Sequence, residues 1–102
     1  PGSPAPSIFA SALNDLAIAY AKKDNFEKVA ETLTRLLFLT PENADARLKL
    51  ALALTQLDRL DEAQKQFEEL LRQNPENAQY YNLYGSLLLE RKQNMQAVQQ
   101  FE

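Results

Sequence analysis

The sequence predicts an all-α fold, a solenoid of antiparallel helix pairs, and two observations support this prediction. Residues 41–44 read Pro-Glu-Asn-Ala, and residues 75–78 repeat the same four letters after an offset of 34 positions (75 − 41). A fixed period of this length is typical of stacked helix–turn–helix units. Leu and Ala are also the most frequent residues, and only 2 Gly occur in 102 residues, a composition that favours helix almost throughout.

Composition and charge exclude several classes of protein. The chain is 45% hydrophobic and 25% charged, as expected for one globular domain. No apolar run approaches the roughly 18–20 residues that cross a bilayer, so no membrane span is predicted. The net charge is −3, with acidic and basic residues mixed along the chain. Because no basic patch forms, we do not predict a nucleic-acid partner.

The residue inventory argues against catalysis and metal binding. Cys and His do not occur, which removes disulfides, zinc sites, thiol nucleophiles and imidazole bases. The adjacent carboxylates at positions 61–62 and 68–69 point about 100° apart on a helix, so they do not form an acid–base pair. We therefore predict a chain that is not an enzyme and has no cofactor. The lack of Cys suits cytoplasm and periplasm equally, so the compartment stays open.

The first predicted helix begins after a proline-rich tail. Residues 1–6 contain three prolines and are predicted to be a non-helical remnant of cloning. The helical domain is predicted to span residues 7–102, with Ser7 as the first N-cap. Apolar residues then recur at helical spacing and define the stripe that this helix buries: Ile8, Phe9, Ala12, Leu13, Leu16, Ala17 and Tyr20.

Short breaks divide the rest of the pattern into helices. Residues 22–25 end the first helix, and the second helix stops before Pro41, because the residue before a proline disfavours helix. Residues 56–59 form the corresponding turn of the second unit, whose second helix stops before Pro75. In the third unit we predict a turn near residues 91–93 and then a truncated sixth helix. The predicted connections are about two to five residues long, so neighbouring helices are expected to be antiparallel.

The residues at fixed places in each unit resemble the tetratricopeptide repeat family, whose signature is W-x2-L-G-x2-Y, A-x3-F and P. Unit two shows the pattern most fully, as Arg47-x2-Leu50-Ala51-x2-Leu54, then Ala63-x3-Phe67, then Pro75. Unit one has Tyr20 and Pro41 in phase, and unit three has Tyr81, Gly85 and Phe101. The departures are Arg47 at an aromatic position and Val29 at a small-residue position.

This resemblance implies a right-handed α-solenoid of about 2.7 units, with five full helices and a truncated sixth. The units are residues 10–43, 44–77 and 78–102. Small residues at Ala17, Ala51 and Gly85 are expected to let the two helices of a unit approach closely. Tyr81, Tyr84 and Leu88 of the third unit are expected in the core, with Tyr80 partly exposed. Lys22–Lys23 and Arg91–Lys92 are expected to be helix ends.

In the resembled family, the first helix of each unit lines a concave groove that binds a peptide of a protein partner. Counting onto this sequence gives the groove candidates, which alternate with the predicted core stripes: Asn14, Ile18, Lys22, Leu48, Lys49, Leu52, Gln79, Asn82, Leu83, Ser86 and Leu89. Exposed apolar residues among them would form an interaction patch, and an Asn amide can both donate and accept. The alternative is that several of the apolar candidates pack against the neighbouring hairpin.

Two hypotheses for function follow. The first is a protein–protein interaction scaffold that binds a peptide in this groove. The second is a structural or self-association module, or a fragment of a longer array. In that case the open C-terminal end, with Val98 and Phe101, docks onto another repeat or subunit and gives a homo-oligomer, because terminal repeats need a polar outer face.

Overall fold

Five α-helices make up the chain in a computed structural model, which describes the backbone of residues 5–101 and the side chains of residues 8–95. They are α1 Ala5–Lys22, α2 Phe26–Leu39, α3 Ala44–Gln56, α4 Leu60–Gln73 and α5 Ala78–Phe101. Residues 5–101 contain no β-strand, so the all-α fold class is confirmed. None of these helices is long and apolar enough to pass through a bilayer.

The helices pack in chain order, which gives the molecule an elongated shape. The main contacts join α1 to α2, α2 to α3, α3 to α4 and α4 to α5. The extents are 62 × 32 × 18 Å. A repeat array has this organisation because each unit buries its apolar face only against its neighbours in sequence. The arrangement is therefore the helical-repeat solenoid that the 34-residue period predicts.

The core lies between α2, α3 and α4. Phe67 of α4 is 1% exposed, and its ring stacks on Tyr84 of α5 with centroids 5.8 Å apart. The largest fully buried side chains besides Phe67 are all leucines: Leu33, Leu36 and Leu70. Ala17 and Ala51, two of the small residues expected at a close helix approach, are both buried in the core.

The repeated Pro-Glu-Asn-Ala segment ends one unit and starts the next. The side chain of Asn43 accepts a hydrogen bond from the backbone N–H of Ala46 at 3.1 Å. Asn77 accepts in the same way from Tyr80, also at 3.1 Å. An Asn at this position satisfies one of the unpaired N–H groups of the first helical turn. The repeated segment therefore combines a proline that follows the end of one helix with an asparagine that caps the start of the next.

An equivalent hydrogen bond joins the first turns of α3 and of α5 to the loop that precedes each helix. Nη2 of Arg47 donates to the backbone carbonyl of Pro41 at 2.8 Å. One period later, the hydroxyl of Tyr81 donates to the carbonyl of Pro75 at 3.0 Å. Arg47 thus replaces an aromatic residue without losing this contact between the start of a helix and the loop that precedes it.

The start of α1 differs from the prediction. The helix begins at Ala5, so Pro6 lies in its first turn and Ser7 lies inside the helix rather than at the N-cap. Proline is tolerated in a first turn, because the N–H that it lacks would have no helical partner there. The remaining residues of the predicted tail, 1–4, lie outside the described part of the chain.

The predicted turn near residues 91–93 is wrong, because α5 runs without a break from Ala78 to Phe101. The two turns that do form place Asp24 and Asp58 in the left-handed region, with φ of 56° and 60°. Asp and Asn adopt this conformation more readily than other non-glycine residues. One period after Asp58 (58 + 34) stands Lys92, a good helix former. The sixth helix is consequently a continuation of the fifth.

Continuity of α5 also changes the role of Arg91, which is not at a helix end. Its Nη1 lies 2.6 Å from Oδ1 of Asp61 and 3.0 Å from Oε1 of Gln64. These contacts pin the middle of α5 to the first turns of α4. At Gly85, the expected close helix approach does not occur, since a Cβ there would meet no atom within 4 Å.

Several residues expected in the core are exposed. Leu16 is 43% exposed, whereas Leu50, one period later, is 4% exposed. The cause is position in the array, because α3 packs between α2 and α4 while α1 packs mainly on α2. Tyr81 is 50% exposed, and the adjacent Tyr80 packs on the core instead. The other expected core residues found exposed are Ile8, Phe9, Ala12 and Leu88, and Leu87 is buried in place of Leu88.

Candidate functional site

An open cavity of about 550 Å³ lies where α1, α2 and α3 meet, between units one and two. Its apolar floor is formed by core residues of all three helices. Longer side chains of α1, α2 and α3 stand around this floor. The lining residues are Ala17, Ile18, Ala21, Lys22, Phe26, Val29, Leu33, Lys49, Leu52, Ala53 and Gln56. We call this cavity the groove cavity.

Two apolar side chains give the groove cavity an exposed hydrophobic surface. Ile18 of α1 is 38% exposed, and Leu52 of α3 is 41% exposed. Both lie beside buried residues, Ala17 and Ala53, which follow or precede them on the same helix. Helical periodicity causes this alternation, because residues one position apart point about 100° away from each other. Apolar groups left in water around a concave floor are typical of a binding site.

Polar contacts fix one side of the groove cavity. Nζ of Lys49 lies 2.9 Å from Oδ2 of Asp45, one helical turn earlier on α3. The same ammonium donates to Oδ1 of Asn14 at 3.3 Å, which links α3 to α1. The pair between Lys49 and Asp45 is largely in water, so it orients the lysine more than it stabilises the fold. Lys22, in the last turn of α1, makes no ion pair within 4.0 Å among residues 8–95.

The candidates predicted from the sequence thus fall into three groups. Ile18, Lys22, Lys49 and Leu52 line the groove cavity, and Asn14 is joined to it through Lys49. Leu48 and Leu83 are half-buried and pack against the core, in keeping with the alternative that apolar candidates contact neighbouring helices. The candidates of α5 that are exposed and do not line the groove cavity are Gln79, Asn82, Ser86 and Leu89.

Several lining residues of the groove cavity are not among the candidates predicted from the sequence, and Phe26 is the largest of them. Phe26, the first residue of α2, is half-buried and faces the groove cavity. Its position directly after the turn at Asn25 was the available signal, because the start of a second helix lies beside the end of the first. The side chains of Val98 and Phe101 lie outside the described residues, so these two C-terminal candidates stay predictions.

The titratable groups whose pKa is shifted lie away from the groove cavity. Nε and Nη2 of Arg59 donate to the two carboxylate oxygens of Glu62 at 2.6 and 2.7 Å. This hydrogen bonding lowers the pKa of Glu62 and raises that of Arg59. Burial, with the nearby Glu68 carboxylate, raises the pKa of Tyr84. Among the described residues, no cluster of three acidic side chains is arranged to hold a metal ion.

Comparison with known proteins assigns the repeat. A family model described as tetratricopeptide repeat matches residues 30–87, from α2 into α5. Among solved structures, the chain is similar to the C-terminal TPR-containing domain of a Plasmodium falciparum protein assigned as FK506-binding. The TM-score is 0.77 at 24% sequence identity, over 89% of this chain and 60% of that one. The chain therefore spans less than two thirds of that domain.

The fold, the 34-residue period and the matched family model agree with one another. Repeats of this family generally mediate protein–protein interaction and generally form non-catalytic scaffolds. The chain belongs to the tetratricopeptide repeat family.

Proposed function

We propose that the chain is a protein-interaction scaffold that binds a segment of a partner protein along the first helices of its units. The groove cavity receives one apolar side chain of that segment, against Ile18, Leu52 and the floor between them. Lys49 and Asn14 stand at the side of the cavity and hydrogen-bond the backbone of the segment. The observation that carries this proposal is an apolar concavity that the fold leaves open between two units.

The charge around the groove cavity gives the segment a second requirement. Lys22 and Lys49 line the cavity, and no acidic residue does. Asp45 already neutralises Lys49, so Lys22 is the cation that remains for a partner. A segment with an apolar anchor and a carboxylate near it therefore fits better than a basic one, because like charges near a binding surface are unfavourable.

The test uses peptides selected from a random display library on the wild-type chain, with dissociation constants measured by fluorescence anisotropy. Leu52→Glu places a charge in the apolar cavity, and we expect binding to weaken by more than about tenfold, since a buried unpaired carboxylate is costly. Leu39→Glu is the matched control, because Leu39 is similarly exposed and lines no part of the cavity. Equal affinity of the folded Leu52→Glu variant and the control would reject the groove.

A second candidate function is self-association, or packing against another repeat, through α5, and the surface of that helix favours it. Leu88, Leu89 and Met95 are exposed on this helix. Apolar groups in that number on one helix are typical of a surface that another repeat or subunit covers. Light scattering over a rising concentration range tests it: dimers that Leu88→Glu abolishes support the idea, whereas a strict monomer at millimolar concentration rejects it.

A further inference from the structure

A second open cleft lies on the other side of α3 from the groove cavity, between α2 and α4, and we call it the outer cleft. Its volume is about 940 Å³, and it shares no lining residue with the groove cavity. Buried Ala30, Leu37, Leu50 and Leu54 form an apolar floor. The rim is formed by polar and charged side chains and one exposed aromatic ring: Glu27, Glu31, Thr34, Arg35, Phe38, Arg47, Arg59, Glu62, Lys65 and Gln66.

Most of the charge on the rim is neutralised internally. Arg59 binds both carboxylate oxygens of Glu62 and lies 3.9 Å from Oε2 of Glu27. Arg35 lies 3.3 Å from Oε1 of Glu31 on the same helix. These pairs are satisfied without any ligand, so they give the outer cleft no net demand for a charged partner.

Arg47 is different, because it makes no ion pair within 4.0 Å in the described part of the chain. Of the five arginines, Arg35, Arg59, Arg72 and Arg91 each lie within 4.0 Å of a carboxylate, and Arg47 does not, among residues 8–95. Its guanidinium is half-buried and donates to two neutral oxygens, Oε1 of Gln66 at 2.7 Å and the carbonyl of Pro41. Its Nε is buried and has no hydrogen-bond partner among the described residues.

The charge of Arg47 acts on the Glu69 carboxylate only from beyond ion-pair distance, so an anion within hydrogen-bonding distance would offset more of the cost of desolvating this half-buried cation. Lys65, two positions before Phe67 on α4, also makes no ion pair within 4.0 Å among the described residues and lines the same cleft. The outer cleft therefore carries two cations without an ion pair in residues 8–95, and its lining has four basic and three acidic side chains, a net charge of +1. The expected occupant is an anion.

The exposed ring beside these cations indicates that the anion belongs to a molecule that also carries apolar groups. Phe38 of α2 is 86% exposed and lines the outer cleft together with Arg47 and Lys65. A free inorganic anion would gain nothing from the ring or from the apolar floor. A peptide that carries an acidic side chain next to an aliphatic one uses the charge, the ring and the floor at once.

We propose that the outer cleft binds an internal segment of a partner protein in which an acidic side chain is flanked by apolar ones. The carboxylate meets Arg47 and Lys65, and the apolar neighbours cover Phe38 and the floor. The cleft lies between two helices and is open to solvent, so a segment bound there does not have to end in it. This site is separate from the groove cavity, and its occupation does not depend on binding there.

The experiment begins with two blocked peptides, acetyl-Gly-Leu-Glu-Leu-Gly-amide and its Gln counterpart, titrated into the wild-type chain and followed by nitrogen–proton NMR. We expect the Glu peptide to bind at least about fivefold more tightly than the Gln peptide, since a charge-assisted hydrogen bond is lost in the latter. The largest shifts are expected at Phe38, Arg47 and Lys65. Equal binding of both peptides, or shifts confined to other residues, would overturn the proposal.

Variants then separate the charge of Arg47 from its structural contact. Arg47→Tyr removes the charge but supplies a hydroxyl that can reach the carbonyl of Pro41, as Tyr81 reaches that of Pro75. We expect this variant to fold and to lose most of the preference for the Glu peptide, with Lys65 supplying what remains. Lys65→Gln is expected to reduce the preference for Glu and is decisive where Arg47→Tyr does not fold. Lys23→Gln, which removes an exposed cation that lines neither cavity, is the control, and an equal loss there would reject the site.

Discussion

At the scale of single residues, successive units share the same contacts even where their residue types differ. Arg47 and Tyr81 have different chemistry, yet each donates to the proline carbonyl six positions earlier. Asn43 and Asn77 keep both the letter and the cap. Sequence reasoning recognised Arg47 as a departure from the family pattern, but the compensating hydrogen bond depends on three-dimensional reach and could not be deduced from letters.

Phe67 is the residue whose loss should cost the most. Its ring is fully buried between helices and stacks on Tyr84. Phe67→Ala leaves a cavity, and we expect the free energy of unfolding to fall by about 3–5 kcal/mol. Urea denaturation followed by circular dichroism measures this. A change below about 1 kcal/mol, as surface substitutions give, would contradict the packing described here.

Gly85 should respond in the opposite direction. It lies inside α5, and a Cβ at this position meets no atom within 4 Å. Gly85→Ala therefore adds helix propensity without a clash, and we expect a gain of about 0.5–1 kcal/mol in stability. Thermal unfolding of the two chains decides. A loss would mean that a neighbouring helix approaches this position closely, as the family pattern predicts.

Tyr84 makes the free energy of unfolding depend on pH in the alkaline range. Burial raises its pKa above the ordinary value of 10.0, and its hydroxyl donates to Oε2 of Glu68 at 3.2 Å. A raised pKa means that the folded state favours the protonated form, so this contribution is complete below about pH 10 and is lost as the pH rises through the folded pKa. We expect the wild type to lose stability above pH 10 more steeply than Tyr84→Phe does. Parallel curves for the two chains would contradict this.

At the scale of the helices, two aspartates decide where a unit turns. Asp24 and Asp58 occupy the same place in successive units, and both have positive φ. Lys92 stands at the third such place, and the chain there continues as helix. The break was predicted from spacing alone, and spacing is insufficient, because the turn needs a residue that tolerates the left-handed region.

Substitution at Asp58 tests this local requirement. Asp58→Val places a β-branched residue at a φ of 60°, and we expect it to cost about 1–2 kcal/mol of stability. Asp58→Gly is the matched control and should cost nothing or stabilise slightly, because glycine adopts this conformation without strain. If both substitutions had the same effect in urea denaturation, the turn would not depend on backbone conformation.

At the scale of the whole molecule, the 34-residue period predicted the fold, but it predicted the site only in part. A 34-residue repeat implies stacked helix pairs, and five helices packed in chain order are observed. Burial depends on what lies on each side of a helix, so Leu16 and Leu50 differ although their letters and phase agree. For the same reason, α1 and α3 residues converge on one cavity while the α5 candidates do not.

The central claim is that a partner segment occupies the groove cavity between units one and two. The most direct measurement is an NMR shift map of the wild-type chain with a peptide selected from the display library. We predict the largest changes at Ile18, Lys49 and Leu52, the residues that the fold brings to one cavity. Changes that concentrate on α5, with these three residues unaffected, would contradict the claim.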